Sequence, residues 1–257
     1  RSSDLEDIRL FNERTDLPKE LFELDILDGS PPCSSFSMAG NRETDWGKEK
    51  VFREGQAEQV LDDLFFEYIA LAKKLQPKIV LAENVKGLIQ GNAKMYVKKI
   101  FKEFDNAGYN VQLFLLNAAS MGVPQKRERV FFICQRKDLN LPKLELSFNE
   151  NQIPFCEIKG ILGKENSEHD NEIWNKRIKS DLCFSDTIQR QGKKQSNWNT
   201  KYIHSDKVVN TIASSSGSKL IEFDNPNHLS NEKLLQIGTY PLDYDFQDVE
   251  PKYLIGM

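Results

Sequence analysis

The sequence predicts an α/β domain with a largely parallel sheet, joined to a smaller and more irregular second domain. In the first half of the chain, short apolar stretches typical of strands alternate with longer stretches of helical period, as in a sheet that is covered by helices. After residue 137 the chain becomes polar and shows few clear periods. A chain of 257 residues can form one large domain or two small ones, so both parts fit within it.

The individual elements follow from the spacing of apolar residues and from the residues that end helices. Gln76-Pro77 ends the first long helical pattern, and Gly108 ends the second. A buried strand lies between these helices and delivers Glu83 and Asn84 at its C-terminal end. The predicted elements are a strand at 22–28, a helix at 58–75, a strand at 79–82, a helix at 95–107, strands at 109–116 and 129–134, and a short helix at 228–236.

The overall composition is ordinary for a globular protein. Apolar residues make up 39% of the chain and charged residues 29%. No apolar run approaches the roughly 18 residues that span a membrane, and the opening RSSDLEDIR has no signal-peptide pattern. The four cysteines lack CxxC spacing and the three histidines are scattered, which argues against a structural zinc site. We expect a cytoplasmic monomer with free thiols, no bound metal and no membrane partner.

Charge is distributed unevenly along a chain whose net charge is −4. Residues 1–30 are rich in acidic side chains, whereas basic side chains predominate at 86–137 and 189–219. A basic stripe on an acidic body suits the phosphate backbone of a nucleic acid. On the charge pattern alone, random clustering on a solvated surface is the favoured interpretation.

Three groups of reactive side chains come near the ends of predicted strands. Cys33 follows the first strand behind two prolines, and Glu83 follows the second. Gln125, Arg127 and Arg129 lead into a later strand, and their i, i+2, i+4 spacing places them on one face if the segment is extended. Sites in open α/β sheets gather at the carboxyl ends of strands, so we expect these groups to converge.

A thiol, a carboxyl group and two guanidinium groups form a chemically coherent set. Nearby cations lower the pKa of a thiol, and the resulting thiolate attacks electron-poor carbon. A neighbouring carboxylic acid can protonate a heterocycle nitrogen. The alternative is structural: Cys33 is then a small buried residue in a proline-rich turn, Glu83 a surface residue, and the arginine run a solvated strand edge.

The sequence resembles the DNA (cytosine-5)-methyltransferase family in several motifs that occur in the family's order. The three main motifs are PPCSSFS at 31–37, ENVKGL at 83–88 and GVPQKRERVFFI at 122–133. Weaker similarities are an acidic turn at 6–8, a late helix motif at 229–246 and the start of a final motif at 253–256.

The resemblance implies a partial Rossmann-like methyltransferase domain that uses S-adenosylmethionine to methylate carbon 5 of a flipped cytosine in double-stranded DNA. It divides the chain into a catalytic domain at 1–137, a target-recognition domain at 138–220 and a segment at 221–257 that returns to the catalytic domain. It also implies a bacterial or phage source and leaves open whether a cognate restriction endonuclease is a further partner.

The resemblance also assigns roles to individual residues. Cys33 is the expected nucleophile toward carbon 6, and Glu83 the residue that protonates ring nitrogen 3. Arg127 and Arg129 are expected to steady the base and the cysteine loop. Further substrate contacts are expected from Ser37, Asn84 and Gln125, and cofactor contacts from Asp7, Ile8, Pro31 and Leu64.

The chain departs from the family pattern in two respects. Ser34 stands where the family usually has glutamine, and no Phe-x-Gly-x-Gly cofactor turn occurs in the sequence. We expect that turn to lie before Arg1, so the chain alone should bind S-adenosylmethionine poorly. Two alternatives therefore stay open: a nucleic-acid-binding remnant without turnover, and an RNA cytosine-5 methyltransferase, since Cys183-Phe184-Ser185 resembles a signature of the tRNA-directed branch.

Overall fold

The computed structural model of the protein describes residues 6–32, 63–90, 93–194, 200–214, 219–247, 249 and 255. Contacts divide the chain into two compact units. The first comprises Arg1–Leu116 and Glu128–Leu146, and the second comprises Asn117–Arg127 and Ser147–Met257. The functional division at residues 137 and 220 stays a prediction.

Strands and helices alternate through the first unit and are shorter in the second. The helices are α1 (Ile8–Glu13), α2 (Leu64–Leu75), α3 (Lys94–Asn106), α4 (Glu168–Trp174), α5 (Phe184–Arg190) and α6 (Asn231–Ile237). The strands are β1 (Ile26–Gly29), β2 (Ile79–Val85), β3 (Tyr109–Asn117), β4 (Gln125–Lys126), β5 (Glu128–Arg136), β6 (Thr200–Ile203), β7 (Val209–Asn210) and β8 (Lys219–Glu222).

The main sheet has the strand order β1-β2-β5-β3. Strands β1 and β2 are parallel, and their register runs from Ile26 opposite Ile79 to Gly29 opposite Ala82. Strand β5 pairs with β2 in the antiparallel sense. The connection from β3 to β5 at 118–127 is shorter than the dozen or so residues that a parallel crossover needs. The α/β class is therefore confirmed, with a sheet that is partly parallel.

The core of the first unit forms where α2 and α3 cover the sheet. Tyr96, Ile100 and Phe104 follow one another at four-residue spacing, and all three are buried. Phe65 of α2 is fully buried and meets Phe132 of β5 edge to face, with ring centroids 5.4 Å apart. Burying a side chain of this size stabilises the fold by about 1.5–3 kcal/mol.

Tyr68 of α2 fixes the two parallel strands that lead to the candidate site. Its hydroxyl lies 2.9 Å from the carbonyl oxygens of both Leu27 in β1 and Leu81 in β2. Burial raises the pKa of this phenol, so it stays protonated. Gly29 is required beneath the ring, because a Cβ at that position would lie 2.4 Å from Tyr68 Cε2.

The second unit is built from short elements rather than one large sheet. Strand β4 pairs with β7, and β6 pairs with β8, both in parallel. Ser167 and Ser230 cap the N-termini of α4 and α6 by accepting backbone N–H groups. One buried cluster gathers around Phe184, Tyr202 and Ile221.

Most of the predicted elements are confirmed to within a few residues. The first strand is the exception, because it was predicted to begin at residue 22. Lys19–Glu23 instead forms a 3-10 turn after Pro18, and the strand begins at Ile26, beside Ile79. The predicted start of the first long helix, 58–62, lies outside the described residues.

Candidate active site

Glu83 and Arg129 meet on one face of the main sheet. Val85 of β2 is opposite Arg129 of β5, and Glu83 is opposite Phe131, so Glu83 and Arg129 are diagonal neighbours. Arg129 Nε lies 2.8 Å from Glu83 Oε1, and their side chains are 17% and 28% exposed. The pair is therefore shielded from solvent but still accessible to a ligand. Arg129 Nη1 donates to the carbonyl of Glu128 at 3.0 Å, which fixes the guanidinium.

Ser30 holds the other oxygen of the same carboxyl group. Its hydroxyl lies 2.6 Å from Glu83 Oε2. The parallel register explains the contact: Gly29 is opposite Ala82, so the next residue of each strand, Ser30 and Glu83, come side by side. None of the sequence motifs assigns a role to Ser30. In the sequence, Ser30 is distinguished only by its place directly after a strand. Its contact with Glu83 can be predicted only when the register of β1 and β2 is known.

Asn84, on the opposite face of β2, binds the next residue of the segment that leads to Cys33. Its side chain is 4% exposed, and Nδ2 donates to the carbonyl of Pro31 at 3.0 Å. Its Oδ1 accepts the N–H of Val85 at 2.9 Å. The chain just before Cys33 is thus attached to β2 at two consecutive residues. Cys33 itself, together with Ser37, lies outside the described residues.

The segment that carries Gln125 and Arg127 is turned rather than extended. The N–H of Arg127 donates to the carbonyl of Gln125 at 3.0 Å, and this i to i+2 bond closes a tight turn before β5 begins. The expectation that Gln125, Arg127 and Arg129 share one face of an extended strand is therefore wrong. Arg129 belongs to the first unit, whereas Gln125 and Arg127 belong to the second.

Gln125 is buried inside the second unit, with an exposed fraction of 3%. Its Nε2 donates to the carbonyl of Ile237 and its Oε1 accepts the N–H of Ile212, both at 3.4 Å. These bonds connect the end of α6 with the segment after β7. Arg127 is half-buried, and its carbonyl accepts the N–H of Ala118 at 3.0 Å. The substrate contacts of Gln125 and Arg127 stay predictions.

Comparison with known proteins decides the family. The sequence model described as C-5 cytosine-specific DNA methylase matches residues 1–251. The chain belongs to the C-5 cytosine-specific DNA methylase family.

Several bacterial and phage methylases of this type are similar to the chain. Type II methyltransferase M.FnuDI of Fusobacterium nucleatum is 44% identical over 132 residues, which are 51% of this chain and 35% of that protein. Orphan methyltransferase M.SPRI of Bacillus phage SPR is 40% identical over 121 residues, which are 47% of this chain and 25% of that protein. The matched region is thus about a third or less of the length of these relatives.

A solved structure confirms the fold of this methylase. A DNA modification methyltransferase encoded within an E. coli prophage superposes with a TM-score of 0.62 at 16% identity, covering 98% of this chain and 80% of that one. Among the described residues, no helix is long and apolar enough to cross a membrane. The same residues contain no group of three or more histidine, cysteine or acidic side chains that could hold a metal ion.

Methylases of this family use S-adenosylmethionine, and the four residues expected to hold it all lie in the first unit. Ile8 packs at the rim of the core, while Leu64 is half-buried at the start of α2, so both keep accessible apolar carbon. Asp7 caps α1 and pairs with Arg9 at 3.1 Å, yet its carboxylate is 40% exposed and retains free lone pairs. Apolar carbon and a carboxylate suit an adenine ring and its amino group, so the residues fit the cofactor.

Among the described cysteines, two are poor nucleophiles. Cys134 is fully buried, and burial raises the pKa of its thiol. Burial also raises the pKa of the Cys183 thiol, and the N–H of Cys183 is bonded to Asp186 Oδ2 at 3.0 Å, at the start of α5. A raised pKa disfavours the thiolate of Cys183, and the resemblance of this segment to the tRNA-directed signature stays an alternative.

Proposed function

We propose that the protein is a DNA cytosine-5 methyltransferase that acts through a covalent adduct with Cys33. The observation that carries the proposal is the position of Glu83. Its carboxyl group is held by Arg129 on one side and Ser30 on the other, beside the segment that leads to Cys33. Because consecutive Cα atoms are about 3.8 Å apart, a residue two positions beyond Pro31 stays within roughly 7 Å of it.

The proposed reaction begins with activation of the base. Glu83 gives a proton to ring nitrogen 3 of cytosine, which makes carbon 6 electrophilic. The thiolate of Cys33 then adds to carbon 6, and carbon 5 becomes nucleophilic. When bound, S-adenosylmethionine supplies the methyl group that carbon 5 takes. The proton on carbon 5 is then lost to water, the thiolate of Cys33 leaves carbon 6, and Glu83 takes its proton back from ring nitrogen 3, which restores the aromatic ring.

The arginines would support this chemistry by fixing the orientation of the groups that react. Arg129 would fix Glu83 Oε1 in the orientation needed for proton transfer, and Arg127 is expected to steady the base. Asn84 keeps the carbonyl of Pro31 in place, so the thiol is presented from a chain with little freedom left to lose. Pro31 and Pro32 add to this effect, since their rings restrict the backbone just before Cys33.

S-adenosylmethionine would be held in the first unit. Ile8 and Leu64 would contact the adenine through apolar carbon, and Asp7 would accept a hydrogen bond from its amino group. Pro31 would contribute its buried ring at the end of β1. These residues bind and orient, whereas the proton transfers take place at Glu83.

The second unit would recognise double-stranded DNA. The target ring cannot be reached inside a duplex, so the cytosine must be flipped into the pocket. Lys193, Lys194 and Lys207 are exposed and would contact phosphates. Arg190 is less available, because its guanidinium is bound to Asp181 at 2.7 Å.

We further propose a bacterial or phage source, a cytoplasmic location and a monomeric enzyme. The relatives from F. nucleatum and phage SPR favour the source and the location. They differ on an endonuclease partner, since one is a Type II methyltransferase and the other an orphan methyltransferase. We propose a Type II system with a cognate endonuclease, because M.FnuDI has the higher identity.

The test is transfer of a labelled methyl group from S-adenosylmethionine to duplex DNA or to RNA, followed by digestion to nucleosides. We expect the label in 5-methylcytosine from DNA, with a loss of at least about 100-fold in Glu83→Gln. Glu145→Gln is the matched control, because Glu145 is an exposed glutamate of the same unit. Label in RNA alone would favour the RNA enzyme, and DNA binding without any label would favour the remnant.

A further inference from the structure

We propose that Ser30 is a positioning residue for Glu83 and that it bonds the carboxyl group in both of its protonation states. This inference rests on the proposed function. It concerns a residue that lies three positions before Cys33 and belongs to none of the expected substrate or cofactor contacts. The contact that carries it is the 2.6 Å bond between Ser30 Oγ and Glu83 Oε2.

The two partners of Glu83 differ in what they can do. A guanidinium only donates hydrogen bonds, so Arg129 can bond Glu83 Oε1 only as an acceptor. A hydroxyl can donate one hydrogen bond and accept two. Ser30 can therefore donate a hydrogen bond to Oε2 when Glu83 is ionised, and it can accept a hydrogen bond from protonated Oε2 until that proton passes to the base. The carboxyl group thus keeps a partner before and after it gives its proton to the base.

The position of this bond follows from the backbone and not from a flexible side chain. Serine has a single side-chain torsion before its oxygen, and the parallel register of β1 and β2 places Ser30 beside Glu83. The next residue, Pro31, is fixed to Asn84 in the same way. Two adjacent hydrogen bonds, from Ser30 to Glu83 and from Asn84 to the carbonyl of Pro31, therefore connect the segment before Cys33 to β2, the strand that carries Glu83.

The bond between Ser30 and Glu83 should affect the rate of adduct formation. If Ser30 orients the acid, its loss should lower the rate of adduct formation and leave DNA affinity unchanged, because the hydroxyl of Ser30 is bonded to the carboxyl group of Glu83. A hydrogen bond to a charged group is worth about 1.5–3 kcal/mol, which corresponds to a rate loss of roughly 10-fold to 100-fold. Ser30→Thr keeps the hydroxyl and should restore most of the rate.

The experiment measures single-turnover adduct formation and DNA binding for the protein, Ser30→Ala, Ser30→Thr and Ser167→Ala. Ser167 is the matched control, since its hydroxyl forms a helix-capping bond in the second unit. Thermal unfolding verifies that every variant is folded. We expect Ser30→Ala to be at least about tenfold slower with unchanged affinity, and the other two variants to be close to the unsubstituted protein.

Four other outcomes overturn the inference. A normal rate in Ser30→Ala overturns it and leaves the proposed function intact. A slow rate in both Ser30→Ala and Ser30→Thr, or a loss of DNA affinity, would show that the serine acts through packing or substrate binding. No adduct with the unsubstituted protein would overturn the proposed function and the inference together.

Discussion

Arg129 Nε lies 2.8 Å from Glu83 Oε1, and the two side chains come from neighbouring antiparallel strands. The same guanidinium uses Nη1 to reach the carbonyl of Glu128. One planar group thus binds a side chain and the backbone of its own strand at once. This arrangement explains why an arginine, and not simply a positive charge, stands at the position.

Replacement of Arg129 by lysine should therefore not be conservative. An ammonium group is a point charge and cannot reproduce two fixed N–H directions. We expect Arg129→Lys to lower kcat by at least about tenfold and to leave the thermal unfolding midpoint nearly unchanged. Lys137→Arg serves as a control for charge-preserving exchange, because Lys137 forms an exposed pair with Asp105. Equal kcat values for Arg129→Lys and the unsubstituted enzyme would contradict the role of the guanidinium.

Asn84→Asp should lower both stability and activity. The change replaces the donor Nδ2 by an oxygen that faces the carbonyl of Pro31, and it places an unpaired charge in a buried position. We expect a loss of about 1–3 kcal/mol in the free energy of unfolding, measured with urea, and slower adduct formation.

The buried Asn227 provides a matched control for Asn84. Its Nδ2 also donates to a backbone carbonyl at 3.0 Å, that of Gly163 in the second unit. Asn227→Asp should cost similar stability without slowing the adduct step in the folded protein. If both variants slow that step equally, Asn84 has no special link to the cysteine loop.

Gly29→Ala should destabilise the first unit through overpacking. The added methyl group would lie 2.4 Å from Tyr68 Cε2, so the ring must move away from the two carbonyls that it bonds. We expect a loss of about 1–3 kcal/mol in the free energy of unfolding. In a Tyr68→Ala background the same substitution should cost much less, and a double-mutant cycle measures the difference. Additive losses would show that the ring is not the obstacle.

Asp181 should make the second unit sensitive to acid. Burial disfavours its charge and would raise its pKa, but bonds from the Arg190 guanidinium, the Thr187 hydroxyl and a backbone N–H outweigh burial. The pKa therefore lies below the usual aspartate value, and the folded state binds fewer protons than the unfolded state. The resulting stability is fully present at neutral pH and is lost as the pH falls through the folded pKa.

Asp181→Asn tests this pH dependence. We expect the variant to lose about 1–3 kcal/mol in the free energy of unfolding at neutral pH. The gap to the unsubstituted protein should narrow as the pH falls below about 4, the ordinary range of an aspartate. Urea unfolding of both proteins at a series of pH values measures the gap. A gap that is independent of pH would mean that the carboxylate charge does not contribute.

The local elements of the first unit were predictable because their sequence patterns are local. The spacing of Tyr96, Ile100 and Phe104 marks one buried helix face, and an apolar run marks β2. The start of the strand that ends at Gly29 was predicted four residues too early, because Lys19–Glu23 forms a 3-10 turn and the ladder with β2 begins only at Ile26, opposite Ile79. Pairing decides where a strand begins, and pairing is not visible in a local pattern.

The candidate site was predictable in part, for the same reason. Glu83 and Arg129 were named from their motifs, and the structure brings them together. Ser30 was missed because its contact depends on the register of two strands that are 53 residues apart. The prediction that Gln125 and Arg129 share one face was wrong, because a hydrogen bond from the N–H of Arg127 to the carbonyl of Gln125 turns the backbone between them. Side-chain spacing predicts a face only where the backbone is regular.

The most direct test of the central claim is trapping on a duplex library that contains 5-fluorocytosine, with S-adenosylmethionine present. Fluorine at carbon 5 cannot leave as the proton does, so a methylating enzyme stays bonded to the base. We predict a denaturation-resistant adduct for the protein and for Cys156→Ala, an exposed-cysteine control, but none for Cys33→Ala. An adduct that persists in Cys33→Ala would contradict the assignment of Cys33 as the nucleophile, and its absence from all three proteins would contradict adduct formation by this chain.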